Sequence, residues 1–246
     1  MPTLTRNDEV TGAPVTLYYE EAGEGFPVLL IAPGGMKSAI PVWGNAPFNP
    51  QSEWADEFRV IAMDQRNAGR SSGPVHADHG WQTYTEDQLA LLDALGVDRF
   101  IVAGMCIGGP YALGLAQAAP ERVAGAVLFQ PIGLTDNRDV FYAMYDGWRE
   151  ELEGRRDDVS DEAWRGLREN MYGGDRCLFN VGQQEIEAIE TPLLVLMGND
   201  IYHPQESSRE VVAYAPNATL IEQWKEPESV GEAKTATREF LRRCSA

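Results

Sequence analysis

The feature that most constrains the fold is a glycine-flanked cysteine between an apolar run and a stretch of small residues. Residues 104–109 read Gly-Met-Cys-Ile-Gly-Gly, and we call this segment the glycine-flanked turn. A sharp turn from a strand into a helix needs small residues two positions before and after its central residue, because larger ones collide. Gly104 and Gly108 meet this need around Cys106. We therefore predict that Cys106 occupies a strained strand-to-helix turn.

The predicted position of Cys106 also favours a reactive thiol. The N-terminus of a helix stabilises an anion, and the thiolate is the nucleophilic form of cysteine. Cys106 is therefore the candidate nucleophile. A buried cysteine beside a glycine-rich turn is the plain alternative. A phosphate-binding loop fits less well, because the segment lacks the glycine and lysine spacing of such loops.

The rest of the chain alternates strand-sized apolar runs with helical patterns. The predicted strands cover 15–21, 27–32, 59–63, 100–103, 123–129, 192–197 and 220–222, and the predicted helices cover 84–95, 109–119, 206–213 and 230–244. Continuous apolar runs of about five residues suit parallel strands that are covered on both faces. The sequence therefore predicts one α/β domain over residues 1–246, with a doubly wound, mostly parallel sheet.

A charged segment at about 131–190 interrupts this alternation. Its helical spacing predicts a cap over the site. Tyr145 and Trp148 are three residues apart and share one face of a predicted helix. Together with Trp43 they are candidate substrate-binding residues for an aromatic or acyl group. Packing of the insertion onto the core is the alternative interpretation of these aromatic residues.

Four segments resemble motifs of the α/β-hydrolase superfamily. They read PVLLIAPGG at 27–35, DQRNAGRS at 64–71, GMCIGG at 104–109 and PLLVLMGND at 192–200. The resemblance implies the α/β-hydrolase fold, with a structural role for the second motif. It also implies a nucleophile, an acid and a histidine in that order along the chain.

The resemblance assigns further site residues. Asp200 stands at the position of the acid, after the strand that ends in PLLVLM. The loop after PVLLIA implies an oxyanion hole, built from a backbone N–H group of Gly35 or Met36 and that of Ile107.

The histidine that the superfamily carries after its last strand is missing here. Residues 223–228 read Gln-Trp-Lys-Glu-Pro-Glu, and no histidine follows His203. His203 lies three residues after Asp200, at the sheet edge where catalytic groups gather in α/β proteins. We predict that His203 is the base and that Asp200 orients it. The alternative bases are His76, His79 and a carboxylate such as Asp200 or Glu226.

These residues predict a hydrolase that cleaves an ester, lactone or thioester of a small apolar or aromatic substrate through Cys106. Two alternatives stay open. The first is a C–C bond hydrolase or lyase on the same fold, and the second is a non-catalytic ligand-binding relative. We expect neither a cofactor nor a metal, because the three cysteines are too few and too scattered for a metal site.

Composition narrows the class of partner. The formal net charge is −18, from 38 acidic and 20 basic residues, and such a surface repels nucleic acid and anionic membranes. The first ten residues are polar, and the apolar runs are too short to span a bilayer. We therefore predict a cytoplasmic monomer or homodimer that acts on a small molecule.

Overall fold

The structure is a computed structural model that describes residues 2–154 and 156–246. These residues form one sheet of eight strands in the order β1-β2-β4-β3-β5-β6-β7-β8. The strands are β1 Thr3–Asn7, β2 Pro14–Ala22, β3 Pro27–Ile31, β4 Arg59–Met63, β5 Phe100–Met105, β6 Val123–Phe129, β7 Leu193–Leu196 and β8 Ala218–Ile221. Strands β3 to β8 run parallel to one another. Strand β2 runs antiparallel to both of its neighbours, β1 and β4.

Helices cover both faces of the sheet. The α-helices are α1 Pro50–Trp54, α2 Trp81–Ala94, α3 Gly108–Ala118, α4 Arg138–Glu153, α5 Asp161–Tyr172, α6 Gln183–Glu187, α7 Gln205–Tyr214 and α8 Val230–Ser245. Residues of α2 and α3 pack in one core, and residues of α1 and α8 pack in the other. The doubly wound, mostly parallel α/β fold predicted from the sequence is confirmed.

Strand β5 shows why an unbroken apolar run forms the centre of such a sheet. All six of its residues are buried. Phe100 and Val102 point into one core, and Ile101 and Ala103 point into the other. Both faces of the strand therefore need apolar side chains, which removes the alternation that a half-exposed strand would show.

Helices α4, α5 and α6 lie in the segment between β6 and β7 where the sequence predicts a cap. Helix α4 lies over the short 3-10 helix Gly35–Lys37 that follows β3: a Cβ atom on Gly35 would lie 2.3 Å from Sδ of Met144. This segment therefore packs above the carboxyl end of the sheet. Its interpretation as a cap over a single domain stays a prediction.

A buried ionic cluster connects the loop after β1 with the loop after β4 and with α2. The Arg66 guanidinium binds Asp87 through two hydrogen bonds of 2.8 Å and also binds Asp8. All three side chains are almost fully buried. Burial opposes ionisation of Asp8, but Arg66 outweighs it and holds the pKa of that carboxyl below its usual range.

Among the described residues, no helix has the length and apolar character needed to cross a membrane.

Candidate active site

The glycine-flanked turn adopts the strained geometry that its sequence predicts. Strand β5 ends at Met105, α3 begins at Gly108, and Cys106 between them has a φ of 60°. A Cβ atom on Gly104 would lie 2.0 Å from the carbonyl oxygen of Gly108. A Cβ atom on Gly108 would lie 2.5 Å from the carbonyl oxygen of Ile31. A side chain at Gly104 or Gly108 would therefore clash with the backbone. The left-handed backbone conformation of Cys106 turns its side chain out of the sheet.

The surroundings of Cys106 favour its thiolate. Burial opposes ionisation, but the His203 imidazole and the backbone N–H groups of Gly34 and Ile107 outweigh it. The pKa of the Cys106 thiol therefore lies below its ordinary value. The two amides come from the loop after β3 and from the start of α3, so the sulfur faces donors on both sides.

A tight turn after β7 brings Asp200 and His203 together. The Nδ1 atom of His203 lies 2.7 Å and 2.8 Å from the two carboxylate oxygens of Asp200. The same carboxylate accepts hydrogen bonds from the backbone N–H groups of Tyr202 and His203, at 3.0 Å and 3.1 Å. A Cβ atom on Gly198 would lie 2.2 Å from the carbonyl oxygen of His203, so glycine is needed where the turn closes. The short sequence separation of acid and base is therefore compatible with good geometry.

The other ring nitrogen of His203 is directed away from Asp200. His203 is 8% exposed, and its Nε2 atom is buried without a hydrogen-bond partner in the described residues. Burial lowers the pKa of His203, but the facing Cys106 sulfur and the Asp200 carboxylate outweigh it, so this pKa is raised. The pKa of Asp200 is lowered: burial opposes this change, and His203 more than compensates. Acid, imidazole and thiol therefore stand in the order Asp200, His203, Cys106.

The loop after β3 contributes one amide that the sequence prediction did not include. Gly34 and Gly35 both have positive φ values, of 117° and 58°. This backbone turns the N–H group of Gly34 toward Cys106, one residue before the predicted pair. The N–H group of Ile107 faces the sulfur from the other side. The oxyanion roles of Gly35, Met36 and Ile107 stay predictions, and Gly34 joins them as a candidate.

The alternative bases have other partners. Nδ1 of His79 accepts a hydrogen bond from the backbone N–H group of His76, and Nε2 lies 3.1 Å from Asp8 in the buried ionic cluster. The ring of His76 accepts a hydrogen bond from the backbone of Asp78 in its own loop. Glu226 accepts one from the Ser229 hydroxyl. The structure thus brings His203 alone of these side chains beside Cys106, within the described residues.

The segment after β8, where the superfamily carries its histidine, holds a core residue in this chain. Trp224 is 1% exposed and donates its indole N–H to the carbonyl of Met197 at 2.8 Å. Its ring packs against Phe129 at a centroid distance of 5.6 Å. The late position is therefore structural here.

The predicted substrate-binding aromatics occupy two environments. Trp43 is buried in the core, edge-on to Phe129 at 6.1 Å. Tyr145 and Trp148 pack edge to face at 5.3 Å within the 131–190 segment, where Tyr145 donates its hydroxyl to the Trp164 carbonyl. Their substrate-binding roles stay predictions.

Trp148 also lines a cavity beside the loop after β3. The cavity has a volume of about 380 Å³ and lies between this loop and α4. Its lining includes Gly34, Met36, Met144, Trp148 and Tyr202. The lining also includes the ion-paired Lys37 and Glu151, whereas the rest of the wall is mostly apolar. The cavity adjoins both the Gly34 amide and the turn that holds His203.

The chain belongs to the α/β-hydrolase fold family. The family's sequence model, described as alpha/beta hydrolase fold, matches residues 27–161, which are more than half of the chain. The match includes the glycine-flanked turn and ends before Asp200 and His203.

Curated relatives are hydrolases, which supports the prediction of an enzyme. The chain is 33% identical over 127 residues to a 2-hydroxymuconate semialdehyde hydrolase from Pseudomonas putida, covering 52% of this chain and 44% of that protein. It is 34% identical over 116 residues to a proline iminopeptidase from Neisseria gonorrhoeae, covering 46% and 35%. The chain therefore aligns with less than half the length of these relatives.

Solved structures support the fold over nearly the whole chain. A meta-cleavage product hydrolase from Pseudomonas fluorescens IP01 superposes with a TM-score of 0.68 at 22% identity, covering 93% of this chain and 95% of that one. The enol-lactonase from Burkholderia xenovorans LB400 gives 0.70 at 21% identity, covering 98% and 100%. At these identities the similarity concerns the fold.

Proposed function

We propose that this protein is a hydrolase that cleaves an ester, lactone or thioester of a small apolar or aromatic substrate. Cys106 acts as the nucleophile, His203 as the base, and Asp200 orients His203. The observation that carries the proposal is the turn after β7, which binds Nδ1 of His203 at 2.7 Å and leaves Nε2 free beside Cys106. This arrangement of nucleophile, base and orienting acid defines acyl-transfer sites on many folds.

The first half of the reaction forms an acyl-enzyme. The Cys106 thiolate attacks the substrate carbonyl carbon, and the π electrons of the carbonyl move onto its oxygen. Backbone N–H groups of Ile107 and of the 34–36 loop stabilise this oxyanion. The carbonyl then reforms, the leaving alkoxide or thiolate departs, and the His203 imidazolium gives it a proton. The product is a thioester on Cys106.

The second half returns the free enzyme. Nε2 of His203 removes a proton from water, and the resulting hydroxide attacks the thioester carbonyl. The Cys106 thiolate leaves as the carbonyl reforms, and the carboxylic acid is released. Asp200 keeps the Nδ1 proton on its own side of the ring, so that Nε2 is the nitrogen that exchanges protons in both halves.

The cavity beside the loop after β3 supports a small substrate. A volume of about 380 Å³ suits a ligand of modest size. Met36, Met144 and Trp148 give it apolar walls, and methionine side chains adapt to the shape of an apolar group. We propose that the acyl or aromatic part of the substrate binds here.

Hydrolysis of a carbon–carbon bond is the second candidate. It is supported by the similarity to the 2-hydroxymuconate semialdehyde hydrolase, at 33% identity over half of this chain. The two candidates differ in whether a covalent acyl-Cys106 accumulates. Mass spectrometry of the protein quenched during turnover separates them: an acyl adduct on Cys106 supports the thioester route, whereas turnover without an adduct favours the alternative.

A panel of p-nitrophenyl esters and acyl thioesters tests the proposed activity. We expect Cys106→Ala to abolish turnover. Cys177→Ser is the matched control: Cys177 is also partly exposed, but burial raises its pKa to about 11. At neutral pH, iodoacetamide should therefore label Cys106 and leave Cys177 unlabelled. Full esterase activity in Cys106→Ala would overturn the proposal.

A further inference from the structure

A buried tyrosine hydroxyl near Cys106 is not used by the mechanism above. Tyr172 is the last residue of α5 and is fully buried. Its ring stacks on Phe141 at a centroid distance of 5.6 Å and an angle of 24°. Phe179 and Trp81 pack edge-on against it, at 5.3 Å and 6.3 Å. The ring is therefore fixed on several sides by aromatic neighbours.

Within the part of the chain that the structure describes, the hydroxyl of Tyr172 has no hydrogen-bond partner. Its Oη atom is buried and unpaired among residues 2–154 and 156–246. Tyr145, in the same segment, shows the usual arrangement, since its buried hydroxyl donates to the Trp164 carbonyl at 2.8 Å. An unpaired buried hydroxyl destabilises the folded protein, and each such group in a native protein calls for an explanation. Folding alone does not explain the Tyr172 hydroxyl.

Tyr172 also lies within the electrostatic reach of the nucleophile. Burial raises the pKa of Tyr172 well above its usual value, and the charge of the Cys106 thiolate adds to this effect. The hydroxyl is therefore protonated near neutral pH and can donate a hydrogen bond. Cys106 packs against the same apolar cluster that contains Tyr172 and Phe141. Phe141, which stacks on Tyr172, also packs edge-on against Tyr202 at 5.7 Å, and Tyr202 lines the cavity proposed for the acyl group. Phe141 therefore connects Tyr172 to that cavity.

We propose that the Tyr172 hydroxyl donates a hydrogen bond to an uncharged oxygen in the acyl part of the substrate, such as a keto or ether oxygen. Tyr172 is then a residue that determines specificity, and this inference rests on the proposed hydrolase function. The rings of Phe141, Phe179 and Trp81 carry no charge, so a carboxylate at this place would be buried among apolar groups at high cost. An uncharged acceptor satisfies the hydroxyl without that cost.

Tyr172→Phe removes the hydroxyl and keeps the ring. Three esters of similar length are compared: p-nitrophenyl pentanoate, ethoxyacetate and levulinate, the last two of which carry an extra ether or keto oxygen. The measured quantity is kcat/KM for each oxygenated ester divided by that for pentanoate. We expect this ratio to fall by roughly 3- to 10-fold in Tyr172→Phe for at least one oxygenated ester. Differences in intrinsic ester reactivity cancel when the two proteins are compared.

Thermal unfolding distinguishes a binding role from a structural one. Because the Tyr172 hydroxyl is unpaired in the free protein, we expect Tyr172→Phe to have an unchanged or higher Tm. Tyr145→Phe is the stability control, since it loses the buried hydrogen bond from the Tyr145 hydroxyl to the Trp164 carbonyl. Its Tm should fall. A clear loss of Tm in Tyr172→Phe with an unchanged ester ratio would mean that the hydroxyl is structural.

The same experiment separates this inference from the proposed function. If the wild-type protein hydrolyses the esters and the ratios are equal in both proteins, the inference is overturned and the hydrolase function stands. If p-nitrophenolate appears only as a single-turnover burst, hydrolytic turnover is overturned, and the ratio of burst rates still tests Tyr172. If no ester acylates Cys106, both proposals are overturned.

Discussion

Replacing His203 with glutamine tests the proposed base directly. Glutamine has a comparable length and keeps an N–H donor, but it cannot exchange a proton near neutral pH. Loss of a general base lowers kcat by about 10²- to 10⁴-fold, or roughly 3 to 5 kcal/mol of barrier. We expect the upper part of this range, because Nε2 of His203 is buried and neither His76 nor His79 is placed to replace it.

The same substitution should change how Cys106 titrates. Burial raises the pKa of this thiol, and the His203 imidazole is the largest effect that lowers it. In wild-type protein the thiolate therefore persists as the pH falls below the ordinary thiol range. Because the pKa of His203 is raised, its positive charge persists as the pH rises above the ordinary imidazole range. Without His203 the alkylation midpoint of Cys106 should move to higher pH.

The assay measures kcat with p-nitrophenyl pentanoate and the iodoacetamide alkylation rate of Cys106 from pH 5 to 10, a range that extends roughly 3.5 units below and 1.5 units above the ordinary thiol pKa of about 8.5. His76→Gln is the matched control, because His76 is half-exposed and its ring bonds within its own loop. That variant should behave as wild type. An unchanged midpoint in His203→Gln, together with turnover within about threefold of wild type, would refute His203 as the base.

Three other substitutions have defined outcomes. Asp200→Asn should lower kcat by about 10²-fold, less than the loss of a fully buried acid, because Asp200 is half-exposed; steady-state kinetics measure this. Gly104→Ala should destabilise the fold by about 1 to 3 kcal/mol in urea unfolding, because its Cβ would lie 2.0 Å from the Gly108 carbonyl. Arg66→Met should cost about 3 to 5 kcal/mol at pH 7, because it removes the guanidinium shared by the two buried carboxylates Asp8 and Asp87. This difference in stability should shrink below about pH 4. The low pKa of Asp8 stabilises the wild type above that pH, and this stabilisation is lost as Asp8 protonates at lower pH. Unfolding curves at pH 7 and below about pH 4 check this.

The predictable part of the fold is the part that is buried on both faces. Strands β4 and β6 have the predicted bounds, because every residue of a central parallel strand meets a core and reads as apolar. Strand β1 was missed. Its sequence Thr-Leu-Thr-Arg-Asn alternates exposed and half-buried residues at the edge of the sheet, so no apolar run marks it. Its pairing with β2 is a tertiary property that the local pattern does not encode.

The candidate site also has features that the sequence predicts and features that it does not. The glycine-flanked turn was predictable, because its constraint is a steric one between residues four positions apart. The Gly34 amide was not, since its direction depends on two successive left-handed glycines whose φ values the sequence leaves open. Tyr172 carried no sequence signal at all. Its interest arises from an unpaired hydroxyl, which exists only once the aromatic neighbours are in place.

The proposed base, His203, lies in the turn after β7 and not in the segment after β8, and this position has a structural consequence. When base and acid follow different strands, their geometry depends on how the last strand and its loop pack. Here four consecutive positions, Asp200 to His203, fix both groups through their own backbone hydrogen bonds. In the segment after β8, Trp224 is buried and packs against Phe129. A histidine placed at Trp224 would lose this packing and would find Asp200 already bonded to His203. We therefore propose that the missing late histidine and the Asp200–His203 turn are parts of one alternative arrangement for activating Cys106.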